Sequence, residues 1–583
     1  MCGLFAIHSF KRELLNDGFI EKTKRVSSKL SHRGPDGSGL IIKKSSILGH
    51  TRLSIIDIDN GQQPMISDDG NFCITYNGEI YNYNEIRYDL IQRGYKFKTA
   101  SDTEVVLKAF IEFGVDCLKK FHGMFAFVIV NFDTKECFAA RDRYGIKPLY
   151  VSTINDLYIF SSEIRPLFEL GLVPNELDST KIEEFLVFGY IAGEKTLYKN
   201  FKQIEPGHYF HITNDKSDYR RYWHPGNKER NISFQDAIEE LDFKLQKAVK
   251  LWSIADVEVG TLLSGGVDST TITSLLNKNV TSLQTFSLLF SNDKDIDESH
   301  HIKNTITEIN VKSNFINFDD SYFVNNLFKL SDHFDEPILD PNNYSLNAIC
   351  EKIKNVSDIK VVLCGEGADE IFGGYARHRQ IANEYQKCHD ENIILMALNR
   401  VALPRLEMLE ANKNFSRENR KIIMKSLVSK DPVNKVLEYD QLTFLNTRLH
   451  SQDRIGMLNS LEIRTPFLEH DLTQFVNSLP GKYKINDEWS KFILRTVAQK
   501  YIPKTIAWEK KKIGLSIPYS RMLFKGELRD IFIDLVINNG KINKYFSSKN
   551  ITNLLDLHNP NNGIDHSNTL FRLLSLELFL RSI

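Results

Sequence analysis

The chain has 583 residues, and its 74 Lys and Arg nearly balance its 75 Asp and Glu for a formal net charge of −1, which argues against a protein built around a basic nucleic-acid groove. With 42% hydrophobic and 26% charged residues, it has the composition of a globular rather than a disordered protein. The length predicts more than one domain, and no apolar run approaches the roughly 20 residues that a membrane-spanning helix needs.

Residues 1–210 are predicted to form an α+β domain. Runs of apolar and β-branched residues, interrupted by Gly, Asn and Asp, predict strands at 41–48, 71–76, 124–131, 137–140 and 157–161. Helical patterns occur between them at 84–93 and 103–113. We interpret the polar stretch 211–232 as a linker, or as a last edge element, that leads into a second domain.

Residues 233–583 begin with alternating helices and strands. A predicted helix at 234–252 precedes an apolar strand at 257–263, a glycine turn and another helix, and further strands follow at 282–290 and 361–364. This alternation is typical of a parallel sheet with helices on both faces. After Arg379 the pattern is almost entirely helical.

Cys2 directly follows the initiator Met. A small second residue usually permits removal of that Met, which would leave Cys2 with a free α-amino group. Such an amine titrates near about 7.7–8.0, so part of it is neutral at physiological pH and can act as a general base for the adjacent thiol. By itself a cysteine at this position means little, because some residue must follow Met.

The seven cysteines are scattered, odd in number and free of CxxC spacing. That pattern predicts no zinc site and is typical of a reducing compartment, so we expect a cytoplasmic protein. The apolar opening MCGLFAIHSF has no basic residue before it and no small-residue cleavage site after it, so it is not predicted to be a signal peptide.

Three further segments of the first domain suit recognition of a small substrate. The planar guanidinium of Arg52 suits a carboxylate. The amide of Asn77 and a backbone N–H at Gly78 could stabilise an oxyanion, although this pair could also be a hairpin turn. Asp102 precedes a predicted helix and could instead be its N-cap.

Together these segments resemble the glutaminase domain of class II glutamine amidotransferases, which have an N-terminal nucleophile. The matching stretches follow the family's order over residues 1–210: MCG, SHRGPDGSG, HTRLSIID, YNGEIYNY, ASDTE, FHGMFAF, RDRYGIKPLY and SSEIRPL. The resemblance implies a fold of stacked antiparallel sheets with helices. It also implies that Cys2 attacks the side-chain amide of glutamine, which yields ammonia and glutamate.

The same resemblance implies the remaining roles in the glutamine site. Arg52 would hold the α-carboxylate of glutamine, and Asp102 would hold its α-ammonium. Asn77 and Gly78 would stabilise the tetrahedral oxyanion, and Glu79 would lie beside the amino-acid pocket.

A phosphate-binding turn is predicted after the strand at 257–263. Residues 264–270 read SGGVDST and lead into a helix, so glycines, hydroxyls and backbone N–H groups are placed to bind an anion. No lysine follows the glycines, so this is not the GxxxxGK[ST] loop of kinases and GTPases.

This turn resembles the PP-loop of ATP pyrophosphatases, and later segments resemble the asparagine synthetase branch of that group. Those segments are TFSLLF, DEP, VVLCGEGADEIFGGY, LHSQDRIGMLNSLEIRTPFLEHDL, KFILR and KKIGLSIP. The resemblance implies an α/β ATP pyrophosphatase domain with a helical C-terminal part. The ATP-binding positions that it implies are Leu263, Ser264, Gly265, Gly266, Asp268, Ser269, Thr270, Ser287, Leu288, Gly365 and Glu366.

The chemistry that the resemblance implies has two steps. A carboxylate attacks the α-phosphorus of ATP to give an acyl adenylate and pyrophosphate, and ammonia then displaces AMP. Asp268 and Asp369 would hold Mg²⁺, and Lys512 would stabilise the adenylation transition state. Glu366 would take a proton from the incoming nitrogen or anchor the amine of the acceptor.

Several charged residues have simpler interpretations. Asp369 could merely complement the dipole of a helix N-terminus, and Lys512 could belong to a solvated run of charges. Lys491 and Arg495 could face phosphates or lie on a helix surface. Arg464 and Asp453 are interpreted as structural ion-pair partners.

The identity of the acceptor is left open by departures from the family pattern. Residues 335–350 read DEPILDPNNYSLNAIC, with Ile338 and Leu339 where small residues are common and without a later proline. The other departures are Leu289, Cys364 and Leu515. The acceptor is therefore aspartate, as in an asparagine synthetase, or another carboxylate such as a uronic-acid sugar, because fold does not determine function.

Two other hypotheses are disfavoured by the residues present. A nucleotide-binding protein without turnover predicts loss of catalytic positions, and a ring-closing synthetase without glutaminase activity predicts loss of Cys2, yet all the named positions are present. No nucleic-acid or membrane partner is expected. The oligomeric state stays open, with a homodimer as a form common in the family. Two separate sites also predict a mostly apolar passage for ammonia along the domain interface.

Overall fold

The computed structural model describes residues 2–214, 216–290, 299–388, 418–510 and 517–583, and all bounds refer to these residues. The strands are β1 (Gly3–Ser9), β2 (Gly37–Ile42), β3 (Ser46–Arg52), β4 (Met65–Ile66), β5 (Phe72–Ile80), β6 (Gly123–Asn131), β7 (Cys137–Arg141), β8 (Tyr150–Ile154), β9 (Leu157–Ser161), β10 (Lys202–Gln203), β11 (His208–Ile212), β12 (Ser217–Arg221), β13 (Val259–Leu262), β14 (Gln284–Leu289), β15 (Lys312–Asn317), β16 (Val361–Leu363) and β17 (Glu462–Arg464).

The α-helices are α1 (Asp17–Lys29), α2 (Tyr83–Gln92), α3 (Asp102–Phe113), α4 (Cys117–Lys120), α5 (Ser179–Phe188), α6 (Phe234–Trp252), α7 (Val267–Asn277), α8 (Ser299–Ile309), α9 (Asp320–Ser331), α10 (Asn342–Val356), α11 (Ala368–Phe372), α12 (Ala376–Cys388), α13 (Glu418–Lys425), α14 (Pro432–Leu442), α15 (Phe444–Leu458), α16 (His470–Asn477), α17 (Gly481–Lys484), α18 (Phe492–Ala498), α19 (Lys504–Ala507), α20 (Tyr519–Phe524), α21 (Glu527–Phe532), α22 (Ser548–Leu557) and α23 (Ser567–Arg581). In the described part of the chain, none of them is long and apolar enough to cross a bilayer.

Two six-stranded antiparallel sheets form the first part of the chain. Their strand orders are β10-β8-β9-β1-β3-β2 and β12-β11-β7-β6-β5-β4. The two sheets pack face to face through an apolar cluster that includes Leu4, Leu48, Val128 and Ala139. Helices α2 and α3 pack on the outer face of the second sheet. The predicted stack of antiparallel sheets with helices is therefore confirmed.

One predicted strand of this region is wrong. The run 41–48 is a hairpin, because β2 ends at Ile42 and β3 begins at Ser46. Lys43 and Ser46 close the turn through reciprocal backbone hydrogen bonds of 2.8 and 3.3 Å. Lys43 and Lys44 are exposed, which a turn permits and a buried strand does not. Farther along, the polar segment 211–232 contains β12, the edge strand of the second sheet.

A five-stranded parallel sheet forms the centre of the second part of the chain. Its order is β15-β14-β13-β16-β17. Strands β14 and β15 are added on one side of β13, and β16 and β17 on the other side. The predicted parallel sheet is confirmed, but β17 interrupts the all-helical pattern expected after Arg379. β17 is only three residues, Glu-Ile-Arg, and the strand is visible only through its pairing with β16.

The two parts of the chain share an apolar interface. One buried cluster combines Leu53, Tyr81 and Met124 of the first part with Leu363 and Leu449 of the second. Burial of such side chains stabilises the contact by about 1.5–3 kcal/mol for each one fully removed from water. The interface therefore holds the antiparallel sheets and the parallel sheet in a defined relation.

Candidate active site

Cys2 lies immediately before β1 and is buried between the two sheets. Its backbone N–H donates to Asn77 Oδ1 at 3.0 Å, and its carbonyl oxygen accepts from Arg33 Nε at 3.0 Å. Asn77 belongs to β5 of the opposite sheet, so both sides of the Cys2 backbone are held by hydrogen bonds. Burial raises the pKa of the Cys2 thiol, which the positive charge of the chain terminus partly opposes. A thiol held neutral in this way needs a base when it attacks.

A buried donor without a partner faces the surroundings of Cys2. Asn77 Nδ2 has no hydrogen-bond partner among the described residues, although Asn77 is fully buried. Gly78 lies against β6, where a Cβ atom would come within 2.2 Å of the Met124 carbonyl oxygen. Unpaired buried amide groups cost free energy unless a ligand uses them, so this donor suits a developing oxyanion. These residues lie within strand β5 rather than in a hairpin turn.

Two buried carboxylates lie next to this donor. Asp102 Oδ2 accepts from the Tyr76 hydroxyl at 2.7 Å and from the Ile80 N–H at 3.0 Å. Ser101 rather than Asp102 caps helix α3, since the Ser101 side chain accepts from the Thr103 N–H. The alternative role of Asp102 as the N-cap is therefore wrong.

The environment of these carboxylates favours a cation. Burial raises the pKa of Asp102 to about 6, although the hydrogen bonds from Tyr76 and Ile80 act to lower it. Burial and the neighbouring charges of Asp102 and Glu462 raise the pKa of Glu79 well above its usual range. Glu79 Oε2 has no hydrogen-bond partner in the described structure. A ligand ammonium would relieve both effects, because a nearby opposite charge stabilises the ionised carboxylate.

We expect the use of glutamine to weaken in acid. Below pH about 6 Asp102 becomes protonated and loses its attraction for an ammonium, so kcat/KM for glutamine falls by about tenfold per pH unit there. The measurement is glutaminase activity between pH 4.5 and 8, with Asp102→Asn as the control. The variant is expected to have low activity without this inflection, and an inflection that persists in it would contradict the assignment.

Arg52 is oriented by the loop that follows β3. Its two terminal nitrogens donate to three main-chain carbonyls at 2.7–3.0 Å, those of Ile56, Asp57 and Ile58. A guanidinium has five N–H groups, so two remain without a partner among the described residues. These groups can bind a carboxylate, and the loop limits the orientations that Arg52 can adopt.

The second site lies at the carboxyl ends of β13, β14 and β16. Gly265, with φ +82°, makes the turn between β13 and α7, and Ser264 Oγ lies 3.0 Å from Ser269 Oγ. Gly365 packs on this turn so closely that a Cβ atom would lie 2.8 Å from Asp268 Cβ. This edge is the switch point of the sheet, where α/β folds commonly bind ligands. Gly266 precedes α7 as its N-cap residue.

The other predicted ATP-binding positions surround this turn. Leu263, Thr270, Ser287 and Leu288 are buried along β13, α7 and β14. The hydroxyls of Thr270 and Ser287 have no hydrogen-bond partner in the described part of the chain. They are available as donors to a nucleotide.

The two carboxylates predicted to bind metal meet at one point. Lys491 Nζ lies 2.6 Å from Asp268 Oδ2 and 2.5 Å from Asp369 Oδ1. Gly374 permits this contact, since a Cβ atom there would overlap Asp369 and Lys491. Two carboxylates that share one cation position, beside a phosphate turn, fit Mg²⁺, which prefers oxygen ligands.

Lys491 thus contacts both carboxylates directly, whereas Arg495 lines the same cavity and makes its hydrogen bonds elsewhere. Arg495 donates to the main-chain carbonyls of Ser490, Ala507 and Glu509 and braces that part of the chain. The segment KFILR carries both residues, and the sequence alone could not separate their roles. Lys512 and Leu515 lie outside the described residues.

Glu366 follows β16, and an arginine that sequence analysis missed binds its carboxylate. Nε and Nη2 of Arg448 each donate to one Glu366 oxygen at 3.1 Å, and Nη1 donates to Asp340 Oδ2 at 3.0 Å. Arg448 directly precedes the family-like segment 449–472, and Asp340 lies in the divergent stretch 335–350. Their places in the sequence, next to the family-like segment and within the divergent stretch, are the only signals that could have indicated Arg448 and Asp340.

Arg33 connects the two sites across the interface. It is fully buried and, besides the Cys2 carbonyl, binds Glu163 at 3.0 Å and Asp453 at 2.8 Å. Asp453 belongs to α15, the helix that carries Arg448. Arg464 likewise lies in a buried ion pair, with Glu462 at 2.6 Å.

Comparison with known proteins covers nearly the whole chain. Residues 1–223 match the glutamine amidotransferase domain family, and residues 240–581 match the asparagine synthase family. The chain is similar to asparagine synthetase [glutamine-hydrolyzing] 1 of Bacillus subtilis (strain 168), with 30% identity over 96% of this chain and 93% of that protein. Asparagine synthetase [glutamine-hydrolyzing] 3 of the same organism is 31% identical over 88% and 86%. Amidase chyE of Penicillium rubens is 26% identical over 87% of each chain.

Proposed function

This chain belongs to the asparagine synthase family of ATP-dependent, glutamine-hydrolysing ligases, and we propose that it converts aspartate to asparagine with glutamine as the nitrogen donor. Its substrates are small molecules. We assign residues 1–210 to a glutaminase domain and 233–583 to a synthetase domain. The linker at 211–232 contains edge strand β12 of the second antiparallel sheet.

The contact made by Arg33 carries the proposal. One guanidinium binds both the carbonyl of Cys2 and the carboxylate of Asp453, and Asp453 shares helix α15 with Arg448, the partner of Glu366. A thiol site and an adenylating site that are joined in this way are held at a fixed separation, which transfer of ammonia between them requires. Such a connection supports glutamine-dependent amidation over two unrelated activities on one chain.

In the glutaminase reaction, the Cys2 sulfur attacks the side-chain carbonyl carbon of glutamine. With Cys2 at the mature N-terminus, its α-amine takes the thiol proton and passes it to the departing nitrogen. Asn77 Nδ2 and the Gly78 N–H stabilise the oxyanion, after which ammonia leaves and a thioester forms. Water then hydrolyses the thioester to glutamate. Arg52 holds the α-carboxylate of glutamine and Asp102 holds its α-ammonium, with Glu79 beside them.

In the synthetase reaction, a β-carboxylate oxygen of aspartate attacks the α-phosphorus of ATP and pyrophosphate leaves. Ammonia then attacks the acyl carbon, AMP departs, and a base takes the proton from nitrogen. Glu366 either is that base or anchors the amine of the acceptor. Asp268 and Asp369 would hold Mg²⁺, which when bound offsets the charge on the phosphate oxygens. Lys491 adds a positive charge beside the phosphate turn. The sequence resemblance assigns Lys512 the role of stabilising the adenylation transition state.

Ammonia must travel between the sites without contact with bulk water. The apolar interface cluster, which includes Tyr81, Met124 and Leu363, supports the predicted passage. Lys147 and Asp453 are also buried and lie 3.6 Å apart. Burial lowers the pKa of Lys147, against the nearby charge of Asp453.

The test is pyrophosphate release from MgATP and glutamine, measured with aspartate and with a panel of uronic and other carboxylic acids. We expect aspartate to stimulate release with formation of asparagine and AMP in equal amounts. Turnover with a uronic acid and none with aspartate would replace the proposal with amidation of a sugar acid. Glutamine hydrolysis without any acceptor-dependent pyrophosphate would leave only the glutaminase half.

A further inference from the structure

We propose that Arg448, Glu366 and Asp340 form an acceptor subsite that recognises the charged head group of an α-amino acid. Arg448 would bind the α-carboxylate of the acceptor, and Glu366 with Asp340 would bind its α-ammonium. This inference rests on the proposed function and specifies how the synthetase site selects its acceptor.

The three side chains form one connected group that remains accessible. Arg448 makes a two-pronged contact with Glu366 and a single contact with Asp340, all at 3.0–3.1 Å. The side chain of Arg448 is 27% exposed, that of Glu366 is 19% exposed and that of Asp340 is 28% exposed. In contrast, Asp453 and Arg454 on the same helix are 2% and 1% exposed and bind fixed partners. The exposed group can therefore meet a ligand, whereas the buried pairs hold the interface together.

The group also has free hydrogen-bonding capacity. Arg448 uses three of its five N–H groups, so one on each terminal nitrogen has no partner in the described structure. Asp340 Oδ1 accepts the Asn342 N–H at 2.9 Å, but each carboxylate oxygen has two lone pairs. Two N–H groups suit a carboxylate, and the remaining lone pairs suit an ammonium.

The charges complement a zwitterion. One guanidinium and two carboxylates carry a net charge of about −1, with the positive group between the two negative groups. An α-amino acid offers a carboxylate and an ammonium on the same carbon, which can meet both signs at once. A uronic acid has a single carboxylate, which is consumed as the reacting group, so it has no second carboxylate to pair with Arg448 and no ammonium for Glu366 and Asp340.

The position of the group fits the length of aspartate. Glu366 follows Gly365, which packs directly on Asp268 in the phosphate turn. Asp369, three residues later in the chain, contacts Lys491 beside the phosphate turn. A head group at Glu366 thus places a short side-chain carboxylate toward the phosphates, while a longer acceptor would extend past them.

The test compares aspartate with two analogues, using ammonium chloride as the nitrogen source so that the glutaminase site is bypassed. β-Alanine lacks the α-carboxylate, and succinate lacks the α-ammonium. In wild type, kcat/KM for pyrophosphate release is expected to favour aspartate over each analogue by about 100-fold or more. Arg448→Leu should reduce the preference over β-alanine to below about 10-fold. Asp340→Asn should reduce the preference over succinate and preserve the preference over β-alanine.

Controls separate selectivity from folding. Arg93→Leu removes an arginine from an exposed pair with Asp89 and should keep every wild-type ratio. If Arg448→Leu does not fold, Arg448→Lys decides the matter, since it keeps the charge without the fork and should lower the β-alanine ratio by about tenfold. A folded Arg448 variant with an unchanged ratio overturns the inference. Wild-type enzyme that does not activate aspartate at all would instead overturn the proposed function.

Discussion

Replacing Cys2 with Ala is expected to abolish glutamine-dependent asparagine formation, by at least about 1,000-fold, while ammonia-dependent formation stays within about twofold of wild type. The thiol is the attacking group of the first reaction and has no part in the second. The contacts of Cys2 with Arg33 and Asn77 are made by its backbone carbonyl and N–H, so Ala at this position retains them. The measurement is asparagine formed from aspartate and MgATP with either glutamine or ammonium chloride.

Cys73→Ala is the matched control. Cys73 is also fully buried in the first part of the chain, and burial raises the pKa of its thiol to about 12, so it is inert. This variant should use both nitrogen sources, apart from a loss of stability from the small cavity. Glutamine use that survives in Cys2→Ala would refute the role of Cys2, and loss of both activities would show that Cys2 is needed for the fold.

Replacing Asp369 with Asn is expected to lower acceptor-dependent pyrophosphate release by at least about 100-fold and to leave glutaminase activity unchanged. Asp268 and Asp369 converge on a single cation position, and an amide in place of one carboxylate binds a divalent cation far more weakly. The measurement is pyrophosphate release as a function of Mg²⁺ concentration. The midpoint of that titration should rise by about tenfold or more.

The Mg²⁺ titration separates a ligand from a structural acid. If Asp369 only pairs with Lys491, the variant should lose thermal stability without a shift in the Mg²⁺ midpoint. Asp556→Asn is the control, because Asp556 forms an exposed pair with Arg529 and should change neither quantity. A normal midpoint in Asp369→Asn would therefore remove Asp369 from the proposed metal site.

Local sequence patterns predicted the features that depend on nearby residues. The phosphate turn at 264–270 is legible because its glycines and hydroxyls act through their own backbone conformation and the helix that follows. Apolar runs predicted both sheet types for a similar reason. The hairpin inside 41–48 was missed because apolar residues on both sides of Lys43 and Lys44 concealed the turn, and β17 was missed because three residues carry too weak a signal.

The residues that sequence analysis overlooked act through distant partners. Arg448 and Glu366 are 82 residues apart, and Arg33 and Asp453 are 420 residues apart. A charged residue in a sequence looks the same whether it is solvated, paired or bound to a ligand. Lys491 illustrates this, because only its convergence with Asp268 and Asp369 distinguishes it from Arg495 on the next turn of chain.

The sequence by itself determined the order of the two parts of the chain, their sheet types and the family to which they belong, because these follow from local periodicity and short motifs. The tertiary structure alone decided which charged groups lie together. These groups are the carboxylates that share Lys491, the buried pair Glu79 and Asp102, and the group around Arg448. Those pairings depend on how separate strands and helices pack, and electrostatic interactions fall off with distance in space rather than along the chain.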